Sequence, residues 1–368
     1  MDNIVGIAYP EWRELRREIK TLAGGREEID PDKRRITRRL TNMSLWTWWR
    51  ARGENKMFGE AVAKVELLDP VFIIGHWRSG TTLLHNMLAL DEQFAYPRIY
   101  QVSNPHSFLR LPIERIVGHQ KQLLQTQKRP MDNVEFDLMS AAEDEFATCP
   151  MSIRSHMIAW SFLRAEQFYD RFLTFTDAST EEYERWRQTF VWFLKKVAYK
   201  HNHCRPLLKS PQHTARIRLL LEQFPNARFI HIRRNPYMVF RSTQRLYETG
   251  ILPNALQTPP SEDFTVRGIL RRYKDMYDAF LDERHLIPTG HYAEIAFEAL
   301  EQDMMGCVAQ AYDAVGLDGY AHLEPKLKAF VESQKDYRKN SHPQLEEALR
   351  RRIFTTWQRA FDEFGYPA

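Results

Sequence analysis

The residues best placed to do chemistry begin with "GHWRSGTT", Gly75 to Thr82, set between the apolar run "VFII" and the helical "TTLLHNMLAL". Gly75 and Gly80 have the spacing of a phosphate-binding loop, G-x-x-x-x-G-K-[ST]. Threonine, Thr81, stands where that loop has lysine. A glycine-rich turn feeding a helix still offers backbone N–H groups and the positive end of the helix dipole to an anion. Ser79, Gly80, Thr81 and Thr82 would supply amides and hydroxyls, and the displaced positive charge is found on Arg78, inside the loop. The planar donor fork of arginine suits the far end of a bound anion. A triphosphate held with magnesium also calls for an acidic strand end, and none of the strands read here ends in an obvious aspartate, so no metal is expected. A kinase or nucleoside triphosphatase with a degenerate loop is the alternative reading.

The elements that must position this loop follow an alternating pattern. "PVFIIG" reads as a buried parallel strand, and the helix after it carries Leu83, Met87 and Leu90 on one face. "RPLLKSP", "NARFIHIRRN" and "GHYAEIAFEAL" read as further strands, the last feeding a helix through Val315, and a final helix spans about 343 to 364. Pro236 opens a helix at its first turn. The fold class is therefore α/β: a P-loop-like central parallel sheet flanked by helices. A large helical insertion covers about 104–205. Within it Ser179 and Glu182 form a capping-box pattern, followed by an apolar stripe of Trp186, Phe190, Phe193 and Val197. Residues 253–264 read as loop. Residues 1–69 read as a helical N-terminal extension to a domain of residues 70–368. Its basic run and Trp46, Trp48 and Trp49 are read first as aromatics packed onto the main domain, and alternatively as a face for peripheral membrane or lipid contact.

"RSGTTLL" behind an apolar strand resembles the 5′-phosphosulfate-binding loop of sulfotransferases that use 3′-phosphoadenosine 5′-phosphosulfate (PAPS). Their second signature, a strand ending in arginine and a helix bearing serine eight residues later, is matched by "FIHIRRNPYMVFRS" with Arg234 and Ser242. The resemblance spans about residues 70–345 and is closest to bacterial sulfotransferases distantly similar to tyrosylprotein sulfotransferase; "RPMDNVEFDLMSAAEDEFA" and "LLKSPQH" also look like that group. It implies sulfuryl transfer from PAPS to a hydroxyl or amine of an acceptor. Arg234 and Ser242 would clamp the 3′-phosphate, which ATP lacks. Lys209, at the end of "LLK", would join Arg78 in stabilising charge on the sulfuryl group. Arg338 and Lys339, in the late basic segment "DYRKNSHP", are further candidate cofactor contacts. In the tyrosylprotein enzymes an arginine follows the serine by four residues; here that position is Leu246, with Arg245 one short.

Transfer also needs a base for the acceptor proton. One candidate is the cluster Glu143, Asp144 and Glu145, whose neighbours lie about 100° apart on a helix, so that one could point into a cleft while the others solvate or pair; Glu143 or Glu145 is the favoured base. The other is His213, four residues after Lys209; cytosolic sulfotransferases place a histidine two residues after the equivalent lysine, where this chain has Pro211. His76 is read as loop scaffold.

Composition constrains the partners. The 368 residues are 43% hydrophobic and 27% charged, ordinary for a globular protein, and a net charge of +4 is too small to argue for nucleic acid. The three cysteines, Cys149, Cys204 and Cys307, have no metal-ligand spacing. No signal-peptide pattern opens the sequence and no apolar run reaches about 18 residues, so a cytoplasmic location is expected. The acceptor, whether small molecule, lipid, glycan or peptide, and the oligomeric state are not specified at this level.

Overall fold

The computed structural model describes residues 4–25, 29–113, 127–128, 135–334 and 345–368. The chain divides into two compact units, Met1–Leu67, Pro97–Cys204 and Leu246–Phe264 in one, and Leu68–Tyr96, Arg205–Arg245 and Thr265–Ala368 in the other.

The second unit holds a five-stranded parallel sheet. Its strands are β1 (Val71–Ile74), β2 (Phe94–Ala95), β5 (Arg205–Lys209), β6 (Arg228–Arg233) and β7 (Tyr292–Ala296), in the order β2-β5-β1-β6-β7. β3 and β4 (Gln127–Lys128 and Glu135–Phe136) are a separate antiparallel pair in the first unit. All four β1 residues are fully buried, the outcome expected of a continuous apolar run in a parallel sheet covered on both faces. Register places Ile73 beside Lys209 and Ile74 beside His231. The C-terminal ends of β5, β1 and β6 are therefore neighbours, the edge where open α/β sheets bind ligands.

Helix Thr81–Leu88 follows β1. Its buried face is Leu84, Met87 and Leu88, with Leu83 and Leu90 only partly buried at the margin of that core, so the stripe is rotated from the one expected. The segment after β7 is two helices, Phe297–Gln302 and Met304–Ala314, where one was expected. Asp303 explains the break: its side chain accepts the Gly306 N–H at 2.8 Å and restarts the chain as an N-cap. β2, two residues long, gives too little pattern to be read from sequence.

The first unit is helical. α1 (Tyr9–Leu22) buries Trp12, Leu15 and Ile19. α2 (Arg34–Ala63) runs for 30 residues. Helix Thr180–Lys200 begins at the expected capping box, with Ser179 Oγ accepting the Glu182 N–H and Glu182 Oε2 accepting the Ser179 N–H at 3.0 Å. Its expected stripe is core: Trp186, Phe190 and Phe193 are 0% exposed, and the first two rings stack at 5.3 Å. A buried ion pair joins it to α2, with Lys196 Nζ 2.5 Å from Glu54 Oε1 and side chains 2% and 1% exposed. Burial pushes the Lys196 ammonium below its ordinary pKa, and the Glu54 carboxylate opposes that shift. Glu54 also accepts the backbone N–H groups of Leu109 and Arg110, so its charge is hydrogen-bonded on more than one side. Two of the three tryptophans of α2 differ from the packing expected of them: Trp46 and Trp49 stand 59% and 61% exposed, while Trp48 is half-buried.

Candidate active site

The loop after β1 turns on backbone that only special residues tolerate. Gly75 has φ +141°, and a Cβ there would run into the Ile232 carbonyl oxygen. Gly80 has φ +98°, and a Cβ there would lie 2.7 Å from Phe297 Cε2 and closer still to Cδ2. Both glycines of the motif are thus required by close approach as well as by φ. Between them Arg78 takes φ 71°, an unfavourable left-handed conformation for an arginine.

That conformation is held by the second motif. Arg234 Nη1–H donates to the Arg78 carbonyl oxygen at 2.9 Å. Arg78 Nε–H donates in turn to Ser242 Oγ at 2.9 Å. Arg234 lies over the Phe297 ring, 4.1 Å from its centroid, a cation–π contact that fixes the guanidinium plane. Asn235 Oδ1 accepts the Tyr237 N–H at 3.0 Å and caps helix Pro236–Leu246, which carries Ser242. On the other side, Lys209 Nζ donates to Thr82 Oγ1 at 3.4 Å. Lys209 is 3% exposed and Ser242 6%. Arg78, Arg234, Ser242, Thr82 and Lys209, spread over residues 78–242, therefore stand around one loop. The helix opening at Thr81 directs its first-turn amides, which have no acceptor inside the helix, toward the same place.

The loop's underside is buried. Gly75 N–H donates to Thr214 Oγ1 at 2.7 Å. His76 is 1% exposed, and its Nδ1 pairs with the Trp77 carbonyl oxygen at 2.8 Å, which fixes the neutral tautomer with the proton on Nδ1. Burial lowers the His76 pKa to about 4, against that hydrogen bond. Ser79 is fully buried, with its N–H closing a turn onto the His76 carbonyl oxygen and its hydroxyl against Tyr277. Burial raises the Tyr277 phenol well above its ordinary range, so it stays neutral. Thr214, Tyr277 and Phe297 support the loop through the fold, and no local pattern in the sequence marks them.

His213 follows Lys209 on a 3-10 turn and is 0% exposed, its ring edge-on to Phe72 of β1 at 5.2 Å. Glu143 and Glu145 belong to the other unit. There Asp144 and Glu145 are fully buried and Glu143 half-buried, so this acidic cluster is no solvated charge run. Glu145 Oε1 accepts from Ser155 Oγ at 2.6 Å. Arg338 and Lys339 lie outside the described residues.

Known proteins resemble this chain in sequence and in fold. The profile described as "Sulfotransferase family" matches residues 70–322. The chain is 31% identical over 328 residues to omega-hydroxy-beta-dihydromenaquinone-9 sulfotransferase Stf3 of Mycobacterium bovis, an alignment covering 89% of this chain and 82% of that one. Its Mycobacterium tuberculosis counterpart matches equally. Among solved structures, sulfotransferase STF9 of Mycobacterium avium superposes with TM-score 0.70 at 17% identity, covering 96% of this chain and 91% of that one. STF1 of Mycobacterium tuberculosis superposes with TM-score 0.63 at 14% identity, covering 88% and 87%. At those identities the two structures speak to the fold.

Proposed function

The chain belongs to the sulfotransferase family, and from that premise we propose that it moves a sulfuryl group from PAPS to a hydroxyl of an apolar acceptor. The observation that carries the donor assignment is the junction of the two motifs: Arg78 bonded to Ser242 and braced by Arg234, at the N-terminus of helix Thr81–Leu88. This cradle fits a nucleotide with two separate anionic groups. The Gly80, Thr81 and Thr82 amides face the 5′-phosphosulfate, and Ser79 supplies the loop's shape. Arg234 and Ser242 hold the 3′-phosphate, with Arg338 and Lys339 as further contacts.

In the transfer, the sulfur–oxygen bond to the 5′-phosphate breaks as a bond forms from the acceptor oxygen to sulfur. The acceptor proton passes to a base, and adenosine 3′,5′-bisphosphate leaves. Arg78 and Lys209 hold positive charge where the equatorial and bridging oxygens become more negative, and the burial of Lys209 strengthens its share of the interaction. A carboxylate, Glu143 or Glu145, or else His213, takes the proton. We place the acceptor in the class of hydroxylated isoprenoid or other apolar molecules, by likeness to the relative named for an omega-hydroxylated dihydromenaquinone.

The test is transfer of label from 35S-PAPS to a panel of hydroxylated quinones, lipids, glycans and tyrosine peptides, with products identified by mass. Arg78→Ala should abolish transfer to the best acceptor, and adenosine 3′,5′-bisphosphate should inhibit where ATP with magnesium does not. Unchanged transfer by Arg78→Ala would refute the mechanism. Among Glu143→Gln, Glu145→Gln and His213→Ala, the variant that alone loses the acidic limb of the pH–rate profile identifies the base.

A further inference from the structure

Helix α2 is packed on one side only. Thr37, Leu40, Ser44, Glu54 and Val62 are its buried positions. At 3.6 residues per turn, Arg35, Arg39, Trp46, Trp49 and Met57 fall on the opposite side. Eight large apolar side chains stand exposed among the described residues, and six of them are on this helix: Ile36, Met43, Leu45, Trp46, Trp49 and Met57. The Trp46 and Trp49 rings stack on each other at 5.1 Å. A patch of this kind on one helix is the mark of an interaction surface.

Charge identifies the partner. α2 carries seven Lys and Arg side chains and two Glu. Glu54 is buried on Lys196, and Glu60 is bridged to Lys64 at 2.6 Å. Arg35, Arg38, Arg39 and Lys56 are exposed and form no ion pair with a described residue. A second copy of this chain would oppose cations to cations. No helix among the described residues is long and apolar enough to cross a membrane, so lipid contact would be made in the interfacial plane. Tryptophan at the headgroup level, flanked by arginine and lysine, is the side-chain chemistry of that plane.

We propose that the outward face of α2 docks on an anionic phospholipid bilayer, with Trp46, Trp49 and Met57 at the headgroup–acyl boundary and Arg35, Arg38, Arg39 and Lys56 on lipid phosphates. The inference stands apart from the acceptor assignment, because it uses no residue of the candidate active site.

The experiment is flotation of the full chain with vesicles of phosphatidylglycerol and phosphatidylcholine in equal parts, against phosphatidylcholine alone. The protein should float with the anionic vesicles only, and raised salt should release it. Trp46→Ser with Trp49→Ser should lower the partition coefficient at least tenfold. Arg35→Glu with Arg38→Glu and Arg39→Glu should lower it about 100-fold, each basic residue contributing near the surface. Both variants should keep the parent's denaturation midpoint, since all five side chains are exposed. Brominated lipid should quench tryptophan fluorescence in the parent and not in the double tryptophan variant. Absence of flotation with anionic vesicles, or flotation unchanged by both variants, would overturn the proposal. So would a concentration-dependent dimer that the tryptophan variant dissociates, since that would make the patch a contact between copies.

Discussion

Replacing Gly80 with alanine tests whether the two anion-binding motifs are one mechanical object. The perturbation has two parts. Alanine at φ +98° meets the strain of a sparsely populated backbone region, about 1–3 kcal/mol. The new methyl also lies 2.7 Å from Phe297 Cε2 and closer to Cδ2, an overpacking that costs about 1–3 kcal/mol when the ring is forced aside. Gly80→Ala should therefore lose about 2–6 kcal/mol in urea denaturation. The displaced ring is the one beneath Arg234, whose guanidinium sits 4.1 Å from its centroid. Affinity for adenosine 3′,5′-bisphosphate, measured by calorimetry, should fall at least tenfold with it. Phe297→Ala removes the obstacle, so the double variant should be more stable than the sum of the singles by about 1–3 kcal/mol. Additivity within about 0.5 kcal/mol would refute the reasoning, because it would mean the methyl never meets the ring.

Three further outcomes follow from the same geometry. Lys196→Met should destabilise the protein by about 3–5 kcal/mol by stranding the Glu54 charge, and adding Glu54→Gln should restore most of the loss, as read from denaturant midpoints. His76 has a pKa of about 4 in the native state and about 6.5 unfolded, so between those values only the unfolded chain binds the proton and stability falls as pH falls. From pH 7 to pH 5 the loss from this residue is about 2 kcal/mol, and His76→Gln should flatten the slope by that amount in denaturation at the two pH values. Lys209→Met should cut kcat about 100-fold or more while leaving adenosine 3′,5′-bisphosphate affinity within about threefold; a kcat near the parent's would remove Lys209 from the chemistry.

Much of the fold was legible because its strands are short apolar runs punctuated by Gly and Pro. β1, β5 and β6 follow that rule, β7 alternates about the exposed Glu294, and the Ser179 capping box announced its helix. The loop glycines were legible for the same reason, since motif spacing reflects backbone constraints that act over a few residues. What could not be read was set by tertiary contact. Phe297 matters because it fills the space beside Gly80 and under Arg234, and nothing in "AEIAF" records that meeting. The buried state of Asp144 and Glu145 contradicts the ordinary behaviour of a charge run, and only packing decides it. Trp46 and Trp49 failed the expectation of burial for the opposite reason: apolar type at helical spacing says which side chains share a face, and not whether anything covers it.

The family profile begins at residue 70, and a fragment cut there would look like the natural minimal enzyme. Glu54 shows why it is not. Its carboxylate is the counter-charge of Lys196 and the acceptor for the amides of Leu109 and Arg110, groups that all lie within the retained segment. Truncation at the profile's edge would remove the counter-charge of a buried ammonium and the acceptor of two backbone N–H groups, leaving Lys196 only the Pro105 carbonyl oxygen. The N-terminal helices are thus a structural component of the helical unit, and the shortest viable form of this protein is set by a carboxylate upstream of the region that defines its family.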